Sequence, residues 1–286
     1  MKTRFIINPI SGTGKQKYIE DYIRKHLNHF DIVYTKKSGD ATVFSINSVE
    51  EGFDSVVAVG GDGTVNECLV GLVNTQTALG VIPCGSGNGF ANHIGMKHKI
   101  EEAIIQLKNT HIKQVDTCTV NRKPFLNVSG VGFDAHIASL FDNLKERGFI
   151  NYAKLILNEL NYKPQNYILK YNYSQKEVTA YLIAFANASQ YGNNAKISPL
   201  ADIQNGLLDV VIIKKFPKWQ IPFFLLRMIR GKTHLSKYVK IIRCKEIQIT
   251  TNETLLHLDG EPFITENPIE IKIVPKSLKI LMPNGK

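Results

Sequence analysis

The first 115 or so residues alternate short apolar runs with stretches of helical spacing, which predicts a parallel sheet with helices packed on its faces. Strands are expected at 4–7, 31–35, 55–59 and 79–82. The third is the most telling. Val56-Val57-Ala58-Val59 is an unbroken apolar run with the length of a buried parallel strand, and it stops on Gly60-Gly61-Asp62-Gly63. From Thr64 the spacing turns helical, with Val65, Leu69, Val70 and Val73 expected on one side. The first strand likewise gives way to a helix from Lys15 to about Leu27.

From about residue 116 the pattern becomes a succession of strand-like runs: Phe125–Val128, Tyr167–Tyr171, Ala180–Phe185, 207–213, 238–250, 254–259 and 269–274. This reads as an antiparallel, sandwich-like second domain, interrupted by helical stretches after Gly132-Phe133-Asp134 and at Pro217–Gly231. The last run, Leu278–Met282, is expected to return to the first domain. The chain is therefore read as an α/β domain of residues 1–115, completed by 276–286, and a β-sandwich domain of residues 116–275. Internal repeats and low-complexity linkers are absent from the sequence.

Composition narrows the class. Hydrophobic residues make up 43% and charged residues 21% of the 286, ordinary values for a globular protein, and no apolar run approaches a membrane span. Met1-Lys2-Thr3-Arg4 leads straight into Phe5-Ile6-Ile7 without a signal-peptide core, so a cytoplasmic location is expected. Cys68, Cys84, Cys118 and Cys244 lack metal-ligand spacing and are expected to be reduced thiols. The net charge of +10 attracts nucleic acid, anionic lipid headgroups or polyphosphates alike. With no zinc-finger, homeodomain or RNP-like pattern, and with lysines spread through the chain, nucleic acid is set aside as a partner.

The candidate chemistry lies at the carboxyl ends of the four predicted strands, where open α/β sheets bind ligands. Each end leads into small or hydroxyl-bearing residues: Asn8–Lys15, Thr35–Ala41, Gly60–Glu67 and Pro83–Ala91. Glycines let backbone amides approach an anion, and a helix N-terminus adds partial positive charge. Asp62 in such a loop repels a bare phosphate, so it belongs beside a Mg²⁺ or beside an activated nucleophile. The alternative is a structural strand-to-helix turn with Asp62 or Thr64 as N-cap. The P-loop spacing is absent.

Gly60-Gly61-Asp62-Gly63-Thr64-Val65-Asn66-Glu67 followed by Pro83-Cys84-Gly85-Ser86-Gly87-Asn88 resembles the soluble diacylglycerol kinase and sphingosine kinase superfamily. The resemblance runs nearly the full length, taking in Asn8-Pro9-Ile10-Ser11-Gly12, Thr35 with Gly39, Gly132-Phe133-Asp134-Ala135, the stretch from Asn187 to Asp209, and Asp259-Gly260-Glu261. It implies an ATP-binding α/β domain, a β-sandwich domain carrying the lipid side and a cleft between them. Thr35, Gly60, Gly61, Asp62, Gly63, Thr64, Val65, Asn66 and Ser86 match positions at which family members contact ATP. Asn8, Ser11, Gly12, Glu67 and Gly85 complete the candidate nucleotide set, with Asp62 holding Mg²⁺. Asp259 and Glu261 match the carboxylates given the general-base role; two apart in a strand, they are expected to face one substrate together, the alternative for Asp259-Gly260-Glu261 being a solvated hairpin turn. Asp134 is assigned to the substrate.

Two departures bear on what the resemblance implies. Asn205-Gly206-Leu207-Leu208-Asp209 stands where diacylglycerol kinases have Asp-Gly-Leu-Leu-Asp at a structural Mg²⁺, so Asn205 and Leu207 form a weakened candidate metal site. Gly85-Ser86-Gly87-Asn88-Gly89 is similar to the sphingosine kinase loop, whereas Asp134 follows the bacterial diacylglycerol kinase pattern and His136 stands where sphingosine kinases tend to carry an acid. The expected function is an ATP-dependent, Mg²⁺-requiring lipid kinase acting on diacylglycerol or a related lipid. A kinase of a soluble substrate such as NAD, and a non-catalytic nucleotide- or lipid-binding protein, are the alternatives. Pro217–Arg230 combines the only Trp with apolar residues and flanking bases, and reads equally as a helix packed on the sandwich or as a contact with an anionic membrane surface visited transiently. Peripheral membrane association and a homodimer are both compatible with this reading.

Overall fold

The computed structural model describes residues 1–11, 18–142, 144, 149–159 and 161–284. Gly12 and the first residues of the helix expected from Lys15 lie outside them. The chain divides into two compact units, Met1–Asp116 with Pro275–Lys286, and Thr117–Val274.

In the first unit strands and helices alternate as β1 (Thr3–Ile7), α1 (Ile19–His26), β2 (Phe30–Tyr34), α2 (Asp40–Glu50), β3 (Ser55–Gly60), α3 (Asp62–Leu72) and β4 (Ala78–Pro83). Two further helices, α4 (Gly89–Ile94) and α5 (Ile100–Leu107), precede β5 (Thr110–Val120). The strands pair in parallel in the order β2-β1-β3-β4. Every residue of β3 and β4 is buried, as expected of parallel strands covered on both faces. The chain leaves β1 for β2 on one side and then returns to β3 on the other. The carboxyl ends of β1 and β3 therefore flank a topological switch point. On α3 the buried stripe is Val65, Cys68, Leu69 and Leu72, while Val70 is exposed. At 100° per residue Val70 falls well off the stripe that the others share, which corrects its expected placement.

The second unit begins with β6 (Lys123–Phe125), β7 (Val128–Gly132), α6 (Phe133–Asp142) and α7 (Phe149–Asn158). It continues through β8 (Gln165–Tyr171), β9 (Ser174–Ala180), β10 (Leu182–Ala186), β11 (Leu208–Ile213) and α8 (Ile221–Ile229). The last strands are β12 (Val239–Cys244), β13 (Glu246–Thr251), β14 (Leu255–Leu258), β15 (Glu261–Ile264) and β16 (Ile269–Pro283). Six strands form an antiparallel sheet in the order β12-β11-β10-β7-β14-β15. The first half of β16, with β13, β8 and β9, forms a second antiparallel ladder. Tyr167, Leu169, Ile249 and Ile271 from one sheet share a buried cluster with Phe185, Val210, Ile212 and Leu256 from the other, which makes the unit a sandwich. Alternate residues Leu182, Ala184, Val211 and Ile213 face the opposite way, where Phe224 and Met228 of α8 cover them.

Several runs that read as single strands are broken. Phe125–Val128 stops after Phe125 because the N–H groups of Leu126, Asn127 and Val128 turn to the Asp259 carboxylate. Residues 238–250 form two strands, β12 and β13. Conversely, the separate runs at 269–274 and 278–282 are one strand, β16, with Pro275, which has no N–H to give a ladder, at the handover between the units. Its second half lies beside β4 in parallel, with Ile280 opposite Leu79, and Leu278 and Ile280 are almost wholly buried. Ile280→Ala is therefore expected to destabilise the first unit by about 3 kcal/mol through lost apolar contact and the cavity left behind. Urea unfolding checks this, and an unchanged midpoint would contradict the role given to the returning strand.

Candidate active site

The turns after β1, β3 and β4 meet. Asn8 N–H donates to Val59 O at 3.0 Å, and Asn8 Nδ2 donates to Thr64 Oγ1 at 3.2 Å, tying the first turn to the start of α3. Cys84 N–H donates to Gly60 O at 2.8 Å, joining the β3 and β4 turns. A methyl carbon added to Gly85 would fall 2.5 Å from Gly61 Cα, and one added to Gly61 would lie 3.2 Å from Gly85 Cα and 3.6 Å from Ser11 Oγ. Only residues without Cβ allow these two backbones to come so close. Gly61 occupies the N-cap position of α3, where it has no side chain to cap the helix. A helix start headed by glycine backbone suits an anion. Ser86 is exposed at the tip of the β4 turn.

Asp62 has a structural task. Its Oδ2 accepts from Gly89 N–H at 3.1 Å and its Oδ1 from Phe90 N–H at 3.4 Å, so it caps the first turn of α4 from the neighbouring loop. Asn88, at φ 53°, closes the β4 turn on itself: its Oδ1 accepts from Gly85 N–H at 2.9 Å and its Nδ2 donates to Gly85 O at 2.7 Å. Burial pushes the Cys84 thiol up to about 11, which leaves it protonated and a poor nucleophile at neutral pH. Thr35 N–H donates to Ile7 O at 2.9 Å, and the following turn is closed by Asp40, which the backbone N–H groups of Lys36 and Lys37 hold below the usual carboxylate range. Glu67 is directed to this turn: it accepts from Ser38 Oγ at 3.2 Å and Ala41 N–H at 3.1 Å. Those contacts give Glu67 a capping task on α2, which its place in the glycine loop does not signal.

In the second unit, Asp259 and Gly260 are not in a strand. They form the two-residue turn between β14 and β15, both with positive φ, 50° and 96°, so the alternation argument for pairing Asp259 with Glu261 does not apply. Asp259 is only 8% exposed. Its Oδ1 accepts from Asn127 N–H at 2.8 Å and Val128 N–H at 3.1 Å, and its Oδ2 from Leu126 N–H at 2.9 Å. Three backbone donors fix this carboxylate in position. Glu261 opens β15 at an exposed position.

Behind the turn lies His257, which sequence reasoning passed over because its only signal is a lone histidine in an apolar run. It is 2% exposed. Gly260 N–H donates to its Nδ1 at 3.2 Å, so in the neutral ring the proton is on Nε2, 3.2 Å from Asp134 Oδ2. The same Asp134 oxygen accepts from Tyr191 Oη at 2.9 Å, and Oδ1 accepts from Ala135 N–H at 2.9 Å. Gly130 makes room, since a Cβ there would run into the Asp134 carboxylate. Asp134 and the Asp259 turn are thus linked through one buried imidazole. Nearby, Asn127 Oδ1 is buried and has no hydrogen-bond partner among the described residues. His136 Nε2 lies 2.9 Å from Glu159 Oε2.

The residues at 205–209 do not fit a divalent ion. Asn205 Oδ1 accepts from Leu207 N–H at 2.9 Å, and the one carboxylate of the run, Asp209, is 1% exposed and held by Arg243 Nε at 2.9 Å and Ser198 Oγ at 2.7 Å. A guanidinium already supplies the positive charge at this point. No group of three or more His, Cys, Asp or Glu suited to an ion occurs among the described residues. The His257 link makes a specific prediction. His257→Ala removes the acceptor for Gly260 N–H and should raise hydrogen exchange at Gly260 at least about tenfold, at a stability cost of about 1–3 kcal/mol. His257→Asn, which keeps an acceptor at the Nδ1 position, should preserve much of the protection. Equal exchange at Gly260 in all three proteins would show that the imidazole does not hold the turn.

Comparison with known proteins matches both halves of the chain. The family profile of the diacylglycerol kinase catalytic domain covers residues 2–120, and that of the YegS C-terminal NAD kinase beta sandwich-like domain covers residues 127–282. A protein of Chromohalobacter salexigens named "Probable lipid kinase YegS-like" is 30% identical over 271 residues, 92% of this chain and 87% of that one. The diacylglycerol kinase of Bacillus subtilis is 25% identical over 309 residues, covering 100% of this chain and 97% of its own. A crystal structure from Bacillus anthracis, titled as a diacylglycerol kinase, matches 99% of this chain and 97% of its own with a TM-score of 0.75 at 22% identity. A second solved chain from that organism reaches a TM-score of 0.83 at 24% identity over 99% of this chain and 95% of its own. With both of its units matched in order, the chain belongs to the family of diacylglycerol kinases and YegS-like lipid kinases.

Proposed function

We propose that the protein is an ATP- and Mg²⁺-dependent kinase that transfers the γ-phosphoryl group to a hydroxyl of a membrane-derived lipid, diacylglycerol or a close relative. The observation that carries this reading is the contact of the Gly61 and Gly85 turns beside the glycine-headed start of α3. That arrangement offers backbone amides and partial positive charge to a triphosphate, which is most of what phosphoryl transfer asks of a protein. Asn8, Ser11, Thr35, Thr64, Asn66 and Ser86 border the nucleotide. Asp62 fits a Mg²⁺ shared with nucleotide phosphates, since such an ion uses only one or two protein carboxylates. The ion would neutralise charge on the phosphoryl oxygens.

In the second unit the Asp259-Gly260-Glu261 turn supplies the base. As the acceptor oxygen forms its bond to the γ-phosphorus, its proton passes to a carboxylate of this turn and ADP leaves. Asp259 is the better candidate, because three backbone N–H groups hold it in one position whereas Glu261 is exposed. Asp134 is assigned to the acceptor's headgroup. The enzyme works on the cytoplasmic side, at an anionic membrane surface that it visits transiently. No helix among the described residues is long and apolar enough to cross a membrane. A second reading, phosphorylation of a soluble acceptor such as NAD, draws on the NAD kinase-like description of the second family profile.

Both readings are tested with γ-labelled ATP, a panel of lipids in vesicles, and NAD without lipid. Label is expected on a lipid and not on NAD, and it should disappear when Mg²⁺ is chelated. Asp259→Asn should lower turnover by about 10²- to 10⁴-fold, with thermal unfolding followed in parallel to separate folding from chemistry. A folded protein that labels no lipid, or an Asp259→Asn variant as active as the parent, would overturn the proposal.

A further inference from the structure

The positive charge of this chain has an address. Between Asp209 and Glu246 the sequence contains ten Lys and Arg and no Asp or Glu. Of the 35 basic residues, the remaining 25 are balanced by the 25 Asp and Glu elsewhere, so this one segment carries the whole excess of +10. At its centre is α8, whose inner stripe, Phe224 and Met228, packs on the sheet.

Apart from Arg227, the outer side of the helix is apolar and largely exposed. Phe223 is 58% exposed, Leu226 43% and Ile229 52%, and Trp219 in the preceding 3₁₀ turn is 67% exposed. Trp219 and Phe223 meet edge to face at 6.4 Å. Around a shallow depression of about 340 Å³, Trp219, Phe223 and Leu226 alternate with Arg227, Arg230 and Lys232. Large apolar side chains left in water beside three cations, on a helix already anchored by its other face, match an interfacial element.

We propose that this face docks on a bilayer of anionic phospholipid, with Trp219, Phe223, Leu226 and Ile229 entering the interface and Arg227, Arg230 and Lys232 at the headgroup phosphates. It rests on the lipid kinase reading for its purpose, and names the element that reaches the acceptor's membrane. Charge complementarity selects the occupant: a neutral apolar partner would use the aromatic residues but not the cations, and an anionic bilayer uses both.

Trp219 is the only tryptophan, so intrinsic emission reports this face alone. The full-length protein is titrated with vesicles of phosphatidylcholine, and of phosphatidylcholine with phosphatidylglycerol, at low and high salt. The expected result is a blue shift with the anionic vesicles, weakened by salt, and quenching by brominated acyl chains. Replacing Arg227, Arg230 and Lys232 together by Gln should weaken partitioning about 100-fold, and Phe223→Ala about tenfold. Both variants should keep activity toward a water-soluble short-chain acceptor and lose it on vesicles.

No shift with anionic vesicles would overturn the docking even if the protein phosphorylates lipid. A shift in a protein that phosphorylates nothing would overturn the kinase reading and leave the docking intact. A blue shift that grows with protein concentration in the absence of lipid, with the mass of a dimer in sedimentation, would assign the face to a second copy and overturn the proposal.

Discussion

Two backbones in van der Waals contact set the geometry of the first unit. The turn after β3 and the turn after β4 touch at Gly61 and Gly85, where one added carbon would come within 2.5 Å of the facing Cα. Much of the site follows from that approach. Parallel pairing of β3 with β4 delivers both turns to the same sheet edge, and the Cys84-to-Gly60 hydrogen bond continues the ladder past the strand ends. With the loops so close, Asp62 at the start of α3 reaches the first amides of α4. Two helix starts and the β1 turn are thereby tied together at one sheet edge.

Four carboxylates singled out from the sequence are parts of the scaffold of their own units. Asp62 caps a helix, Glu67 caps another, Asp259 gathers three amides from the break between β6 and β7, and Asp134 anchors His257 and Tyr191. A carboxylate held by several donors loses little freedom when substrate arrives, which is the structural meaning of preorganisation. The arrangement also implies that neutralising any one of them disturbs the local structure that it holds. In the second unit the imidazole of His257 couples the acid near α6 to the turn that bears Asp259, and neither group is set by its sequence neighbours alone.

Where one physical rule dominated, the sequence was readable. The buried parallel strands appeared as apolar runs, their boundaries differing by a residue or so from those observed, and the glycine turns appeared as strand ends rich in small residues. The alternation rule failed at Asp259 because that residue sits at φ 50° in a two-residue turn, the hairpin that its Asp-Gly pair offered as the other reading. Leu126 and Asn127 looked like strand, yet their N–H groups are claimed by a carboxylate some 130 positions away, and no local pattern encodes such a partner. The same holds for His257 and for Glu67. The α8 segment was legible only as a tie between packing and membrane contact, because a helix can satisfy both: one stripe covers the sheet and the remainder stays in water.

The central claim is that the turns after β1, β3 and β4 form one triphosphate cradle. Hydrogen exchange of the full-length protein with and without Mg²⁺ and a non-hydrolysable ATP analogue tests it most directly. The account predicts added protection at the amides of Asn8–Ser11, Gly60–Asn66 and Gly85–Gly89, lost when Mg²⁺ is withheld. Binding of the analogue without protection at the Gly60 and Gly85 turns, or with protection confined to other segments, would contradict it.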